Sequence, residues 1–472
     1  MSAHLPSPAA LTQGRMLEAP AAQHVAEPLA RQAAEAALEQ RRHDDEVVRK
    51  VQTCVLDVIG AALEARHLPW GDQAVQLASP CPGGVRIIGS SRRTTPGDAA
   101  FANAALAHGL VREDMHAGSI SHLGVVVIPA LLSLAQTRRV DGGTFVSAVV
   151  AGYEVGARIG AALFTTELAR LFRPTGITGP IGAAAAASRL LGLNRAQATS
   201  AIALAANATG GLNEWPAVGG EEMFFHPGFA ARNALTAVQL AELGAVASET
   251  ALDGPSGLFA AMRRDSTRPQ VSFFDGRPEI LAVYNKPVPA CNFAQTACQV
   301  AFRLSRKHAL RAEELRAIRI RVPRAAARYP GCDSTGPFDR LLQAKMSIPF
   351  GVAATLCHGR IEEANYALPV SPEIARLISI TSLEEDETLT AAFPTRQGAT
   401  IELLLDGQTL TGHLDDVVAA TPGEVRARCE RAATEVLGAR AARAILDFVE
   451  NLPEAADVGA IGELFASPED AA

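Results

Sequence analysis

The sequence predicts a mainly α-helical protein in which a large all-helical domain is joined to a smaller α+β domain. Of its 472 residues, 48% are hydrophobic and only 5% are aromatic, and alanine is abundant, a composition that favours closely packed helices. Apolar residues recur at helical spacing up to about residue 263, whereas Ile318 to Val322 alternate apolar and basic residues as a half-buried strand does. The change of pattern near Ser272 predicts the boundary between the two domains.

The helical domain is expected over residues 25–271, after a flexible tail over residues 1–24 that contains proline, alanine and serine. Its helices are predicted from apolar stripes and alanine-rich runs, at residues 47–63, 142–163, 179–191, 195–208 and 230–243. In the second of these, Glu154 and Arg158 have the spacing of a stabilising ion pair. We expect these helices to form the main core.

The α+β domain is expected over residues 272–415, as a lid on the helical domain. Strands are predicted at residues 318–322, 378–382, 399–405 and 409–413, with Asp406-Gly407 as a hairpin turn between the last two. Helices are predicted between the strands, at residues 294–306 and 337–357. Residues 416–472 are predicted to form C-terminal helices that return to the helical domain.

Composition argues against several classes of partner. The net charge of -7 and the scattered basic residues do not suggest nucleic-acid binding. The seven cysteines form no CxxC pair, which argues against a disulfide framework and a zinc ribbon and fits a reduced, cytoplasmic compartment. No secretory signal is recognisable, and no segment has the roughly 20 uninterrupted apolar residues of a membrane helix. We expect a cytoplasmic protein with no membrane partner.

The segment from Glu113 to His122 is the richest in chemistry, with two acids, two histidines and two serines. A helical run ends before it and a long apolar run follows it. A catalytic acid or base needs a side chain aimed from a loop into a cleft, with rigid elements on either side. The alternative is a polar surface connection, but histidines and acids beside apolar segments are enriched at functional sites. Asp114, His116 and His122 are therefore candidate site residues.

A second candidate segment runs from Arg173 to Gly182 and leads into an alanine-rich helix, with Thr178 as a possible cap. Free backbone amides at a helix start favour an anionic ligand. The alternative is a tight loop of small residues that serves packing. The glycine spacing does not match a dinucleotide fingerprint, so no NAD site is predicted.

Two lysines and three other side chains complete the candidates. Lys286 lies in a proline-bounded loop at the domain junction, where it can bind a carboxylate or, if its pKa falls, act as a base; an ordinary surface lysine is the alternative. For Lys345, in a helical stretch, a solvent-facing position is favoured. Tyr153 is expected in the core, with a hydroxyl able to serve as an acid or base. His226, before a predicted helix, and His108, on an alanine-rich helix face, are interpreted as structural.

Together these segments resemble the MmgE/PrpD family, which includes 2-methylcitrate dehydratase, cis-aconitate decarboxylase and iminodisuccinate epimerase. The landmarks occur in family order along nearly the whole chain: Asp57 to Gly60, Asn103 to His108, Glu113 to His122, Gly152-Tyr153-Glu154, Pro174-Thr175-Gly176, His226 to Ala231, Lys286-Pro287 and Ala344-Lys345. The resemblance implies a large helical domain with an α+β lid, usually in a homodimer, and a site between the domains.

The resemblance also implies site residues. Those with a catalytic role would be His122, Asp114, Lys286 and Tyr153. Those that bind substrate would be His116, Arg173, Thr175, His226 and Lys345. No cofactor or metal is expected, since no HExxH-like arrangement occurs.

Three positions depart from the family pattern. Met115 stands where many members have threonine, Arg173 where histidine is common, and Met223 where lysine is frequent. Arg173 can clamp a carboxylate with two parallel hydrogen bonds in place of a histidine proton carrier. Met223 removes a cation, so a substrate with fewer carboxylates or an added apolar group is a reasonable hypothesis.

The function implied is a cofactor-independent lyase that acts on a small polycarboxylate by moving a proton α to a carboxylate. Lys286 and Arg173 would stabilise the developing charge, His122 would be the general acid or base, and Asp114 would orient a histidine or take a proton. One alternative is an epimerase, with Tyr153 and Lys286 on opposite faces of the substrate. The other is a binding protein without catalysis, because fold does not imply function.

Overall fold

A computed structural model describes residues 27–265 and 267–467, so the tail expected over residues 1–24 lies outside the described residues. Up to residue 263 the described chain consists of helices and short strands. The helices are α1 (Leu29–Leu38), α2 (Asp45–Glu64), α3 (Pro69–Leu77), α4 (Pro96–His108), α5 (Gly124–Ala135), α6 (Gly142–Leu163), α7 (Leu168–Leu171), α8 (Pro174–Leu191), α9 (Arg195–Asn207), α10 (Trp215–Val218), α11 (Glu222–Glu242) and α12 (Leu258–Arg263). The strands are β1 (Val85–Arg86), β2 (Arg93–Thr94) and β3 (Asp114–His116).

The rest of the described chain mixes strands with helices, which confirms the predicted fold class. The strands are β4 (Val283–Asn285), β5 (Ala317–Val322), β6 (Thr381–Glu385), β7 (Ala399–Leu405) and β8 (Gln408–Leu414). The helices are α13 (Gln295–His308), α14 (Arg324–Ala327), α15 (Leu341–Met346), α16 (Ile348–His358), α17 (Pro372–Ser379), α18 (Glu387–Ala392), α19 (Pro422–Leu437) and α20 (Ala439–Glu450).

The centre of the helical domain is the contact between α6 and α8, which are both buried along most of their length. Their axes approach so closely that a Cβ on Gly182 of α8 would lie 2.6 Å from the carbonyl oxygen of Gly152 of α6. This distance explains the glycine- and alanine-rich sequence of α8, because larger side chains would separate the helices. Helix α5 packs against both of them, α11 packs against α8, and α4 packs on α5 and α11.

Helix α6 is long and apolar enough to cross a membrane by length and composition alone, but 78% of its apolar window is buried inside the fold. It also carries Glu154, a fully buried carboxylate that pairs with Arg158 at 3.1 Å. The same carboxylate accepts backbone hydrogen bonds from Phe274 and Glu279, at 2.6 and 2.9 Å. The helix is therefore a core element, and it anchors the segment that leads to β4.

The C-terminal sheet has the strand order β6-β5-β7-β8, in which β5 and β6 are parallel and the other pairs antiparallel. Alternate residues of β5 and β7 are buried, among them Ile318, Ile320 and Ile401, as the period-two pattern predicted. Helices α13 and α16 pack against this sheet. The hairpin between β7 and β8 turns at Gly407, whose φ of 82° lies in the left-handed region that glycine adopts freely.

Three local predictions were wrong. The strand predicted over residues 378–382 begins only at Thr381, because Ile374, Leu377 and Ile378 form the buried stripe of α17. Helix α8 begins at Pro174, so Thr178 lies inside the helix and donates to the carbonyl of Pro174 instead of capping it. Helix α11 starts eight residues earlier than predicted, which places His226 within the helix.

The two regions of the chain meet along a two-stranded ribbon. Strand β3 pairs antiparallel with β4, and Asp114 lies opposite Asn285. The helix α19 packs on α2, and its Arg428 bonds to Asp57 of α2 and to the carbonyl oxygen of Lys286. These contacts hold Lys286 against the loop that begins at Glu113.

Candidate active site

The candidate site forms where α4 ends, β3 begins and β4 passes alongside. Glu113 immediately precedes β3 and is fully buried. Its Oε1 lies 2.9 Å from Nδ1 of His108, 3.1 Å from Nδ1 of His122 and 4.0 Å from Nζ of Lys286. We call these residues, together with Arg173, the Glu113 cluster. One carboxylate therefore gathers two imidazoles and an ammonium in a dry environment.

The contacts of His122 determine which ring nitrogen carries its proton. Nδ1 faces two acceptors, the carbonyl oxygen of Asp114 at 2.8 Å and Oε1 of Glu113. We therefore assign the proton to Nδ1, which leaves a lone pair on Nε2. The backbone N–H of His122 donates to Oγ1 of Thr175 at 3.0 Å, so the predicted site residue Thr175 fixes the position of His122.

His108 connects Arg173 to the carboxylate of Glu113. Its Nε2 accepts from Nη2 of Arg173 at 3.1 Å, which leaves the proton on the Nδ1 that faces Glu113. Arg173 directly precedes α8, and its guanidinium lies 5.2 Å from the centre of the Trp215 ring. Its backbone N–H donates to Gly211. The guanidinium is thus held in a defined place by one histidine and one indole ring.

Burial sets the protonation states of the cluster. It lowers the pKa of His108 and that of His122, the latter well below its usual range, so both rings are neutral at pH 7. Burial also lowers the pKa of Lys286, against the opposing charge of Glu113. For Glu113, burial favours the protonated form, but the imidazoles of His108 and His122 and the ammonium group of Lys286 outweigh it and hold the pKa well below its usual range.

Asp114 and Tyr153 form a separate buried pair. The hydroxyl of Tyr153 donates to Oδ2 of Asp114, and the backbone N–H of Gly124 donates to Oδ1 at 3.2 Å. Burial raises the pKa of Asp114 to about 6, and it raises that of Tyr153 well above its usual range. The structure therefore does not bring these two predicted catalytic side chains into the Glu113 cluster; Asp114 contributes its backbone carbonyl there.

His116 and Lys345 have all their polar atoms engaged elsewhere. The ring of His116 contacts Oγ of Ser119 through Nδ1 and Oε2 of Glu279 through Nε2, both at 2.8 Å. Lys345 is fully buried rather than solvent-facing, and Nζ donates to the carbonyls of Leu110 and Pro289, at 2.9 and 3.0 Å, and to Glu363 at 2.6 Å. An ammonium has three donors, so this lysine is saturated. It ties the loop before Glu113 to the loop after Lys286.

His226 lies beside the cluster. Its pKa is lowered to about 4, first by burial and then by the charges of Arg173 and His108. Within the described chain, its buried Nδ1 has no hydrogen-bond partner. The predicted residues His122, Lys286, Arg173, Thr175 and His226 are therefore found together, whereas Asp114, Tyr153, His116 and Lys345 are not part of the same set of side chains.

Sequence reasoning missed Glu113 and His108 as site residues. Both lie in segments that the sequence indicates as functional, but the motif favours Asp114 over Glu113, and the alanine-rich helix face favours a structural role for His108. The position of His108 as the last residue of α4 was a usable signal, because it lies only five residues before Glu113 in the chain. The pairing of Glu113 with a lysine 173 positions later in the chain has no local signature.

Comparison with known proteins agrees with this architecture. The MmgE/PrpD N-terminal domain matches residues 27–270, and the MmgE/PrpD C-terminal domain matches residues 288–454. The chain belongs to the MmgE/PrpD family. The resemblance drawn from the ordered motifs is thereby confirmed.

Several curated relatives are named cis-aconitate decarboxylase or a protein like it. The chain is 32% identical over 227 residues to a cis-aconitate decarboxylase-like protein of Aspergillus oryzae, an alignment that covers 46% of this chain and 47% of that protein. It is 29% identical over 225 residues to cis-aconitate decarboxylase of Aspergillus terreus, covering 46% of each. With the Homo sapiens enzyme the identity is 24% over 447 residues, covering 90% of this chain and 91% of that protein. The chain thus spans about half the length of the fungal relatives it matches.

Proposed function

We propose that this protein is a cofactor-independent lyase that acts on a small polycarboxylate of the 2-methylcitrate or cis-aconitate type. The observation that carries the proposal is the Glu113 cluster, in which a buried histidine, His122, whose proton is assigned to Nδ1, lies beside the buried cations Lys286 and Arg173. The names of the family relatives support the same reaction class.

The first chemical step assigned to this site in a dehydration is removal of a proton from the carbon α to a carboxylate. Nε2 of His122 takes the proton, and the imidazolium that forms is stabilised by Glu113 at its other nitrogen. The electrons of the broken C–H bond move toward the carboxylate, where Arg173 and Lys286 stabilise the added negative charge. Glu113 thus acts as a positioning residue for His122.

The course of the reaction differs between the two lyase types. In a dehydration the electrons form a C=C bond, the C–O bond breaks, and the proton from His122 leaves with the hydroxyl as water. A decarboxylation does not begin with the removal of a proton: the C–C bond to a carboxylate breaks, carbon dioxide leaves, and the electron pair left on carbon takes up a proton from the ammonium group of Lys286. Both need the same cations, so the geometry supports the lyase class rather than one member of it.

The epimerase alternative has less support. It requires two acid/base groups on opposite faces of the substrate, for which Tyr153 and Lys286 were the candidates. The Tyr153 hydroxyl donates to Asp114 inside the helical domain, whereas Lys286 lies at Glu113. The non-catalytic alternative predicts binding without any exchange of α-protons.

Proton NMR in deuterated water tests the proposal, with citrate-, methylcitrate-, aconitate- and aspartate-type acids as substrates. We expect a new alkene or loss of carbon dioxide. Deuterium entering the α-position with only a stereochemical change would indicate an epimerase instead. His122→Ala is expected to abolish turnover, whereas His413→Ala, at an exposed histidine of β8, should retain it. Equal rates for these two variants would overturn the site assignment.

A further inference from the structure

The charge balance of the Glu113 cluster limits which acids the site can bind as substrates. This inference rests on the proposed lyase function. We propose that the site takes a dicarboxylate in which an apolar group stands where a tricarboxylate such as cis-aconitate carries its third carboxylate.

Two cations in the cluster have donors to offer. Within the described chain, Nζ of Lys286 is buried without a hydrogen-bond partner, and so is Nε of Arg173. One Nη of Arg173 is engaged by His108. An arginine and a lysine can each bind one substrate carboxylate, the arginine through two parallel hydrogen bonds. The site therefore provides counter-ions for two carboxylates.

The neighbouring cations are already paired. Lys345 donates to Glu363 and to two carbonyls. Arg112, the residue before Glu113, binds both carboxylate oxygens of Glu64, at 3.1 and 2.5 Å. Arg428 binds Asp57. Releasing any of them toward a substrate would leave a buried carboxylate of the protein without its partner, which is costly.

Glu113 itself opposes a third carboxylate. It is fully buried, and its negative charge lies 4.0 Å from Lys286, so it already offsets one of the two positive charges. Like charges repel strongly where water is excluded. A tricarboxylate would place four carboxylates, Glu113 included, against two cations, whereas a dicarboxylate places three carboxylates against them.

The surroundings of Arg173 favour an apolar substrate group. The Trp215 ring lies against the guanidinium, and Trp215 belongs to the same buried apolar cluster as Met223 and Phe224. Met223 and Phe224 offer no donor to a carboxylate but pack well against a methyl group. Within the described chain the indole Nε1 of Trp215 has no hydrogen-bond partner, but it is a neutral donor and not a counter-ion. This side of the site therefore favours an apolar substrate group over a carboxylate.

Two matched pairs of acids test the inference. Citraconate differs from cis-aconitate, and citramalate from citrate, only by a methyl group in place of a carboxymethyl group. Isothermal titration calorimetry gives the affinity of the wild-type protein for each acid, and proton NMR gives turnover. We expect the dicarboxylate of each pair to bind at least about tenfold more tightly, because an unpaired third carboxylate meets Glu113. Equal or tighter binding of the tricarboxylates would overturn the inference, and this comparison requires no variant.

Glu113→Gln then tests the cause. Removing its charge is expected to reduce the preference for dicarboxylates by about tenfold. Glu154→Gln, which removes another fully buried carboxylate in α6, should leave the preference unchanged. An unchanged preference in Glu113→Gln would contradict the assigned role of Glu113. Binding with the expected preference but without turnover would overturn the lyase function alone, and binding of none of the four acids would overturn both.

Discussion

The backbone carbonyl of Asp114, rather than its carboxylate, contacts Nδ1 of His122, at 2.8 Å. The carboxylate instead lies in the helical domain with Tyr153 and Gly124. A carbonyl accepts a hydrogen bond but cannot take a proton under these conditions, so it selects one tautomer of His122 without itself titrating. The chemistry expected of Asp114 therefore falls to its neighbour Glu113, which contacts the same imidazole nitrogen.

Asp114→Asn is expected to keep turnover within about tenfold of wild type, because the backbone carbonyl remains and the amide can still accept from Tyr153. Glu113→Gln should lose more turnover than Asp114→Asn, since it removes the charge that stabilises a protonated His122. Steady-state kcat and KM of both purified variants measure the difference. A loss in Asp114→Asn as large as in His122→Ala would mean that the Asp114 carboxylate takes part in the reaction.

The raised pKa of Asp114 also predicts how the stability of the protein depends on pH. Its pKa is raised by burial from 3.8 to about 6, so between these values the folded state binds more protons than the unfolded state. The contribution of Asp114 to the free energy of unfolding is therefore fully present below pH 4 and is lost as the pH rises to about 6. The loss amounts to about 3 kcal/mol.

Urea unfolding at a series of pH values between 4 and 7, with wild type and Asp114→Asn in parallel, isolates this contribution. The asparagine does not titrate, so the stability of wild type relative to the variant should fall over this range. A constant difference would show that Asp114 keeps an ordinary pKa.

The proposed activity should persist to an unusually low pH. His122 is assigned as a base, and burial holds its pKa well below 6.5, so its active neutral form persists at lower pH than in an exposed histidine. We expect kcat/KM to be flat from about pH 6 to pH 8. In Glu113→Gln the pH below which kcat/KM declines should be lower still, because the negative charge that supports protonation of His122 is gone. The kcat of this variant should also fall.

If Glu113 had only a structural role, Glu113→Gln would lower kcat without changing the pH at which kcat/KM declines. The pH profile of kcat/KM, recorded with the same dicarboxylate for both proteins, separates the two roles. Glu113→Asp, which keeps the charge on a shorter side chain, is expected to restore part of the rate.

The sequence predicted local structure well where one element carries its own signal. Helix α6 was predicted with its observed bounds, because an apolar pattern runs through it and Glu154 and Arg158 have the spacing of a helical ion pair. The Asp406-Gly407 hairpin was recognised from its turn residues. Ile378 was misplaced in a strand because a short apolar run fits both a strand and the buried stripe of α17.

The site was predicted only in part because its defining contacts are distant in sequence. His122 and Lys286 were identified through motifs, but nothing in the local pattern tells which of the adjacent acids Glu113 and Asp114 faces Lys286. Asp114 is the first residue of β3 and Glu113 directly precedes it, so a choice between them needs the pairing of β3 with β4. Likewise, the saturation of Lys345 depends on Glu363 and two carbonyls from other segments.

Two buried lysines provide a final contrast, because they have the same burial but opposite surroundings. Lys345 makes three hydrogen bonds, one of them to Glu363, whereas Nζ of Lys286 makes none within the described chain. Lys345→Met should cost about 3–5 kcal/mol of stability, because Glu363 is left as an unpaired buried charge. Lys286→Met should cost less stability but lower turnover by about 100-fold or more, since the transition state loses a cation.

Chemical denaturation together with kcat per folded molecule measures both effects. Glu363→Gln in the Lys345→Met background serves as the control, and it should recover part of the lost stability because it removes the stranded charge. We expect Lys345→Met to lose mainly stability and Lys286→Met to lose mainly turnover. If Lys286→Met kept full turnover while Lys345→Met lost it without unfolding, Lys345 would be the substrate-binding cation and the Glu113 cluster would not be the reaction centre.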